Sequence, residues 1–212
     1  MGVAFVAAIL LVSAGRWDWG AGWGLTAIYA TWLICTVLLV MPTHPDLLAE
    51  RASRRPERSW DKAILGATGI LTVAAYVVAG LDVRNRWGGD MPDLLQWFGA
   101  SVALCGYLLV VISMRANAYF STVSRIQTDR GHRVATGGPY KVVRHPGYVG
   151  AAAFAAAAPL VLGSWVAAPI GFVTALLLVL RTALEDRMLR EELEGYREYA
   201  AAVRWRLVPG VW

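Results

Sequence analysis

The chain has 212 residues, of which 57% are hydrophobic and only 17% charged, with a formal net charge of +5. A water-soluble domain carries roughly a quarter charged residues, so this composition excludes an ordinary soluble globule and points to lipid as the main solvent. The basic surplus sits in a few blocks between apolar runs, a pattern of membrane orientation rather than of nucleic-acid binding.

A spanning helix needs about 20 mostly apolar residues, with roughly 17 to 25 as the range. Gly2 to Ala14 is shorter, has no basic region before it and matches a cleavage site only weakly, so it reads as a short first membrane helix rather than a signal peptide. Trp19 to Met41, Lys62 to Leu81 and Leu94 to Met114 pass the length test. Tyr148 to Leu162 and Trp165 to Leu180 are separated only by Gly163 and Ser164, a turn-forming pair, and predict an antiparallel hairpin with kinks at Pro159 and Pro169. The expected fold class is all-α: a polytopic transmembrane helical bundle of five to six spans including this C-terminal hairpin. Residues 1–114 supply the N-terminal membrane helices and residues 115–212 the region richer in polar, aromatic and glycine positions.

Three basic blocks orient the chain: Arg51, Arg54, Arg55, Arg58 and Lys62; Arg115, Arg125, Arg130, Arg133, Lys141 and Arg144; and Arg181 to Arg206. All three are expected on the cytoplasmic side of an inner (cytoplasmic) membrane, with both termini inside. Trp17, Trp19, Trp23, Trp87, Trp97 and Trp165 then fall near the outer helix ends, at headgroup level. Arg51 to Arg58 read as topology determinants and headgroup contacts, and Arg197, Arg204 and Arg206 as anchors of the terminal segment on the membrane face. Cys35 and Cys105, both within apolar runs, read as packing residues.

Between Asn117 and Tyr148 lies a connection of about 30 residues, long enough to be functional rather than a simple link. Tyr119, Phe120, Val123, Ile126, Val134, Tyr140, Val142 and Val143 make it too apolar for a solvated tail. Gly131, Gly137, Gly138 and Gly147 permit tight turns or close backbone approach. A folded lid against the membrane face follows. His132 and His145 lie in it, but with only Asp129 beside them and no cysteine they do not make a metal site. Further on, Arg181 and Glu185 stand one helical turn apart and share a face with Leu189 and Glu192, so an Arg181–Glu185 ion pair is expected. An ionisable pair at the end of a membrane helix is a functional-site candidate.

RHPGYVG at Arg144 to Gly150, the Glu185-Asp186 pair, Leu189, GYREY and the terminal VRWRLVPG together resemble the C-terminal signature of the isoprenylcysteine carboxyl methyltransferase family. The string G-H-x-V-x-T-x-G-x-Y from Gly131 to Tyr140 fits it too. The resemblance covers the C-terminal half and implies an integral membrane methyltransferase. Its cofactor would be S-adenosylmethionine, held under a cytoplasmic lid, and its acceptor a lipophilic small molecule or lipidated group entering from the membrane lipids. Carried over by position, His132, Val134, Gly138, Tyr140 and Arg144 would hold the cofactor, with His145, Pro146, Tyr148, Glu185 and Leu189. Arg181 and Glu185 would be catalytic, nearest the acceptor. Asp186 stands where a second Glu is common, which leaves its contacts open.

For a carboxylate acceptor of the isoprenylcysteine type, Arg181 would position the anion. An amine acceptor, as in phospholipid N-methylation, must lose a proton, which makes Glu185 or a histidine the base. The competing enzyme class is an NADPH-dependent membrane sterol or enone reductase, which has a similar RHP-x-Y-x-G ending; Gly147 and Ala151 depart from that pattern. A lipid-binding protein without activity is the third reading.

Overall fold

The structure, a computed structural model, describes residues 2–52 and 58–212; Arg54 and Arg55 of the first basic block, and the side chain of Arg51, lie outside it. The described residues form eight α-helices and no strand: α1 (Val3–Ala14), α2 (Gly20–Val40), α3 (Pro45–Ala52), α4 (Ser59–Asn85), α5 (Asp93–Ala116), α6 (Pro146–Val161), α7 (Ala168–Glu192) and α8 (Tyr196–Ala202). α2, α4, α5 and α7 are long and apolar enough to cross a membrane, while α1 and α6 are shorter apolar helices. At 1.5 Å per residue, α1 reaches only about 18 Å and α6 about 24 Å.

The helices run alternately up and down. At one end, the far end, the α1 terminus lies on α4 so closely that a Cβ on Gly80 would meet Ser13. At the same end buried Asp82 accepts hydrogen bonds from the Gly88 amide and from Ser164 Oγ in the α6–α7 turn, both at 2.6 Å. The opposite end carries the long connection 117–145, α8 and the chain terminus. That lid end is where the ionic groups gather.

α6 lies between α5 and α7 and touches both through small residues. A Cβ on Gly150 would collide with the Gly106 carbonyl oxygen, and one on Gly106 would sit 2.6 Å from that of Gly150. Without hydrophobic drive between helices in lipid, such close backbone approach supplies the packing. The alanine-rich run Ala151 to Ala158 lets the neighbouring helices close in along the rest of α6.

The structure modifies several expectations. Pro169 opens α7 in its first turn, where its missing N–H costs nothing, instead of kinking it. Trp19 is buried, packed over Gly22, whereas Trp17, Trp23, Trp87, Trp97 and Trp165 are exposed as headgroup contacts should be. Cys105 is exposed on α5, so it does not pack inside the protein; Cys35 is partly buried. α4 and α7 both run further towards the lid than their apolar stretches, and α7 continues unbroken to Glu192.

The Gly106–Gly150 crossing gives a direct stability test. Gly150→Ala should cost on the order of 1–3 kcal/mol as an overpacked contact and lower the unfolding temperature in detergent. Gly66→Ala, where a Cβ meets nothing within 4 Å, should leave it unchanged or raise it slightly.

Candidate active site

The connection between α5 and α6 is organised by short polar turns. Asn117 Oδ1 accepts from the Tyr119 amide at 2.9 Å and Ser121 Oγ from the Val123 amide at 3.3 Å, local bonds that these residue types favour over helix. Fully buried Gln127 donates to the Tyr119 carbonyl at 2.7 Å and pins the loop on itself. Gly131 and Gly138 adopt positive φ (62° and 54°) at the two turns that follow. Tyr140 then enters a buried cluster with Leu193, Tyr196 and Tyr199, and Tyr199 donates to the Tyr140 carbonyl at 2.7 Å. Burial raises the Tyr140 and Tyr196 phenols and pushes Tyr199 up to about 12, so all three stay neutral.

One carboxylate ties this lid to the bundle. Asp186, fully buried on α7, accepts from Arg144 Nε at 2.7 Å, Tyr196 Oη at 2.9 Å and Arg206 Nε at 2.9 Å, with His145 Nε2 at 3.3 Å. Arg144 Nη1 donates to the carbonyls of Val203 and Arg204, both at 2.7 Å. Backbone bonds from Arg144 to Trp205 and from His145 to Arg206 lay the chain terminus along the start of α6. Arg206 therefore turns inward and does not anchor the terminus to the membrane face.

A second buried group sits one turn earlier on α7. Arg181 Nε and Nη2 bind both oxygens of Asp61 on α4, at 2.7 and 3.2 Å, and Nη2 also donates to the Thr122 carbonyl at 2.8 Å. The expected Arg181–Glu185 pair is not formed. An Arg one turn before a Glu is the poorer order on a helix, and Asp61, fully buried, offers a bidentate partner instead. Glu185 accepts from Ser124 Oγ and, at 2.7 Å, from Tyr148 Oη, both on Oε2. It has no ion-pair partner among the described residues. Glu192, on the same helix face, pairs with Arg58 at 2.6 Å.

These groups surround a cavity of about 290 Å³, at the lower end of the range for small-molecule sites. His132, Val134, Tyr140, Arg144, His145, Tyr148, Arg181, Glu185 and Leu189 line it, so most of the residues picked from the sequence meet at one place. Gly138 and Pro146 do not line it. Gly138 shapes the turn that delivers Tyr140, and Pro146 is the first residue of α6. Its lining is mixed: polar side chains from the lid residues, and Trp32, Leu65, Tyr107 and Leu178 from the membrane helices.

Residues 94–194, from the start of α5 to just beyond α7, match the family model described as phospholipid methyltransferase. Over these residues the chain is similar to a family of membrane methyltransferases. The match belongs to the superfamily of integral membrane methyltransferases that the sequence resemblance named. No curated protein matches the chain.

Several residues of this site carried no sequence signal. Ser124 and Tyr119 belong to no motif, and Trp32, Leu65 and Tyr107 look like any other membrane-helix residues. Asp61 had one: an acid next to Lys62 at the edge of an apolar span is costly unless paired. Gly147, expected to permit close approach, does so: a Cβ there would collide with the Phe120 ring.

His132 is held by its neighbours in one state. The Gln127 amide donates to Nδ1 at 3.2 Å, leaving the proton on Nε2, and the ring lies 4.6 Å from that of Tyr119. Burial pushes the imidazole down from 6.5 to about 4; nearby Glu185 opposes this, while Arg125 and Arg130 add to it.

Both the buried pair and the neutral imidazole can be tested by melting curves. Removing one partner of a buried ion pair costs about 3–5 kcal/mol, so Arg181→Met or Asp61→Leu alone should unfold the protein at markedly lower temperature. The double variant should be more stable than either single one. For His132, the unfolded chain takes up its proton near pH 6.5 and the folded one only near 4, so its stabilising effect is complete above 6.5 and lost as pH falls towards 4. In melting curves across that window, His132→Gln should flatten the acid decline; an unchanged slope would show that the imidazole is not held neutral.

Proposed function

We propose that the protein moves a methyl group from S-adenosylmethionine to the amine head group of a membrane lipid, with Glu185 receiving the amine proton. The observation that carries the reading is the place of Glu185: a carboxylate with no direct ion pair among the described residues, in the wall of a cavity lined by both polar and apolar side chains.

The cavity residues suit the cofactor's chemistry. A sulfonium favours a nearby anion and aromatic faces, which Glu185, Tyr148 and Tyr119 supply. Arg133, also on the cavity wall, suits the cofactor's carboxylate, and Val134, Leu189 and Leu193 suit a flat apolar ring. When bound, the cofactor supplies an electrophilic methyl on positive sulfur. The protein itself contributes positioning and proton handling. Ser124 and Tyr148 fix Oε2 of Glu185, leaving Oε1 to accept the proton that the acceptor nitrogen loses as its new bond to carbon forms. The lid excludes water, and the apolar part of the lining aligns the lipid chain.

A carboxylate acceptor of the isoprenylcysteine type is the second reading. Arg181 Nη1 has no partner among the described residues, so it has a donor to offer such an anion. Against that, most of the Arg181 guanidinium is committed to Asp61 and Thr122, and an incoming carboxylate would face Glu185. The basic blocks around the lid support a cytoplasmic lid face.

Calorimetry in detergent tests the cofactor: saturable binding of S-adenosylhomocysteine and none of NADPH is expected, and the reverse would replace methyl transfer by reduction. Glu185→Gln should lower turnover of an amine lipid by about 10²–10⁴-fold as the loss of a general base, with S-adenosylhomocysteine still bound. Undiminished turnover would remove Glu185 from the chemistry.

A further inference from the structure

Segment 121–124 of the lid has no regular structure, yet its backbone is gripped at two points from the membrane helices. The Ser124 amide donates to Asp61 Oδ2 at 2.7 Å, and the Thr122 carbonyl accepts from Arg181 Nη2 at 2.8 Å. Asp61 stands in the first turn of α4 and is fully buried. An acid there suits the helix dipole, and Arg181 by itself would match its charge through the two bonds at 2.7 and 3.2 Å. Neither role calls for the amide of Ser124. Asp61 also lies outside residues 94–194, so nothing in the family match assigns it a function.

Holding the amide holds Ser124 in place and leaves its side chain little more than rotation about χ1. Ser124 has one hydroxyl hydrogen to donate. Asp61 Oδ1 is 3.2 Å from its oxygen, while Glu185 Oε2 is much closer, so the hydrogen goes to Glu185. The second donor to the same oxygen, Tyr148 at 2.7 Å, has its ring under the Arg181 guanidinium, 5.4 Å from the centroid. Both donors on Glu185 Oε2 are therefore braced by the Asp61–Arg181 pair.

We infer that Asp61 is a positioning residue: by holding the Ser124 amide, with Arg181 holding Thr122, it aims the Ser124 hydroxyl at Oε2 and so turns the other oxygen of Glu185, Oε1, to the acceptor. This rests on the reading of Glu185 as the group that receives the amine proton. Asp61 itself does not line the cavity, so it acts through Ser124 alone. A misplacement of about 1 Å between reacting groups costs on the order of 10²-fold in rate, the scale on which such a brace matters.

The test uses the full-length protein in nanodiscs of ethanolamine phospholipid, with Ser124→Ala made both in the wild type and in the Arg181→Met/Asp61→Leu variant, where two apolar replacements avoid an unpaired buried charge. Two quantities are read: kcat with S-adenosylmethionine, and the infrared band of the Glu185 carboxylate, identified as the one lost in Glu185→Gln. In the wild type Ser124→Ala should lower kcat about 10-fold or more, the worth of a hydrogen bond to a charged group, leave KM for S-adenosylmethionine unchanged and move the band. In the double variant it should change kcat less than about 2-fold and leave the band in place, because the hydroxyl is no longer aimed. The same full effect in both backgrounds would overturn the inference, as would a rise in KM in place of a fall in kcat. Where turnover of the double variant is too low to measure, the band alone decides. If the wild type methylates no lipid amine, the amine-acceptor reading fails, and a band that Ser124→Ala moves only when the Asp61–Arg181 pair is present still upholds the role of Asp61.

Discussion

The lid stays closed because one buried carboxylate on α7 is shared by segments distant in sequence. Asp186 has a side chain 1% exposed and binds Arg144 and His145 at the start of α6, Tyr196 on α8 and Arg206 in the terminal segment. A carboxylate so deep is tolerable only because its lone pairs are filled and its charge is more than matched. Since Arg144 also binds the carbonyls of Val203 and Arg204, the same node orders backbone that has no helix or sheet of its own. The cavity roof follows from this arrangement rather than from the apolar packing of the bundle.

Asp61 and Arg181 have a comparable role, about one helical turn deeper. They join α4 to α7 across 120 residues of sequence, and Arg181 reaches the Thr122 carbonyl while Asp61 takes the Ser124 amide at 2.7 Å, which leaves the single hydroxyl hydrogen of Ser124 for Glu185. Ser124, placed in this way, then orients Glu185. The N-terminal half, which carries no motif, thus fixes the carboxylate on which the proposed chemistry turns. Arg125, held by Glu50 on α3 at 2.8 Å and by Asp129, ties the lid to that half a second time.

What was legible in the sequence divides along physical lines. Apolar run length revealed three of the four long helices, and the fourth, α7, as the second arm of a hairpin, because lipid leaves the backbone no other way to satisfy its hydrogen bonds. The motif residues between Gly131 and Leu189 came together because they are local to two turns and one helix face. Pairings across the bundle were not readable, since helix spacing alone offers Arg181 only Glu185 as a partner and says nothing of Asp61. The role of Asp186 was hidden for the same reason: the motif marks the position, but only the fold shows that Arg206 and Tyr196 converge on it.

The destination of the methyl group is the decisive question. Wild-type protein in nanodiscs of mixed lipid, given S-adenosylmethionine bearing a trideuterated methyl, can be followed by mass spectrometry of the extracted lipids. Labelled methyl on the nitrogen of an amine head group is the predicted result. Label confined to a carboxyl ester, or absent from every lipid while the protein is folded, would contradict it.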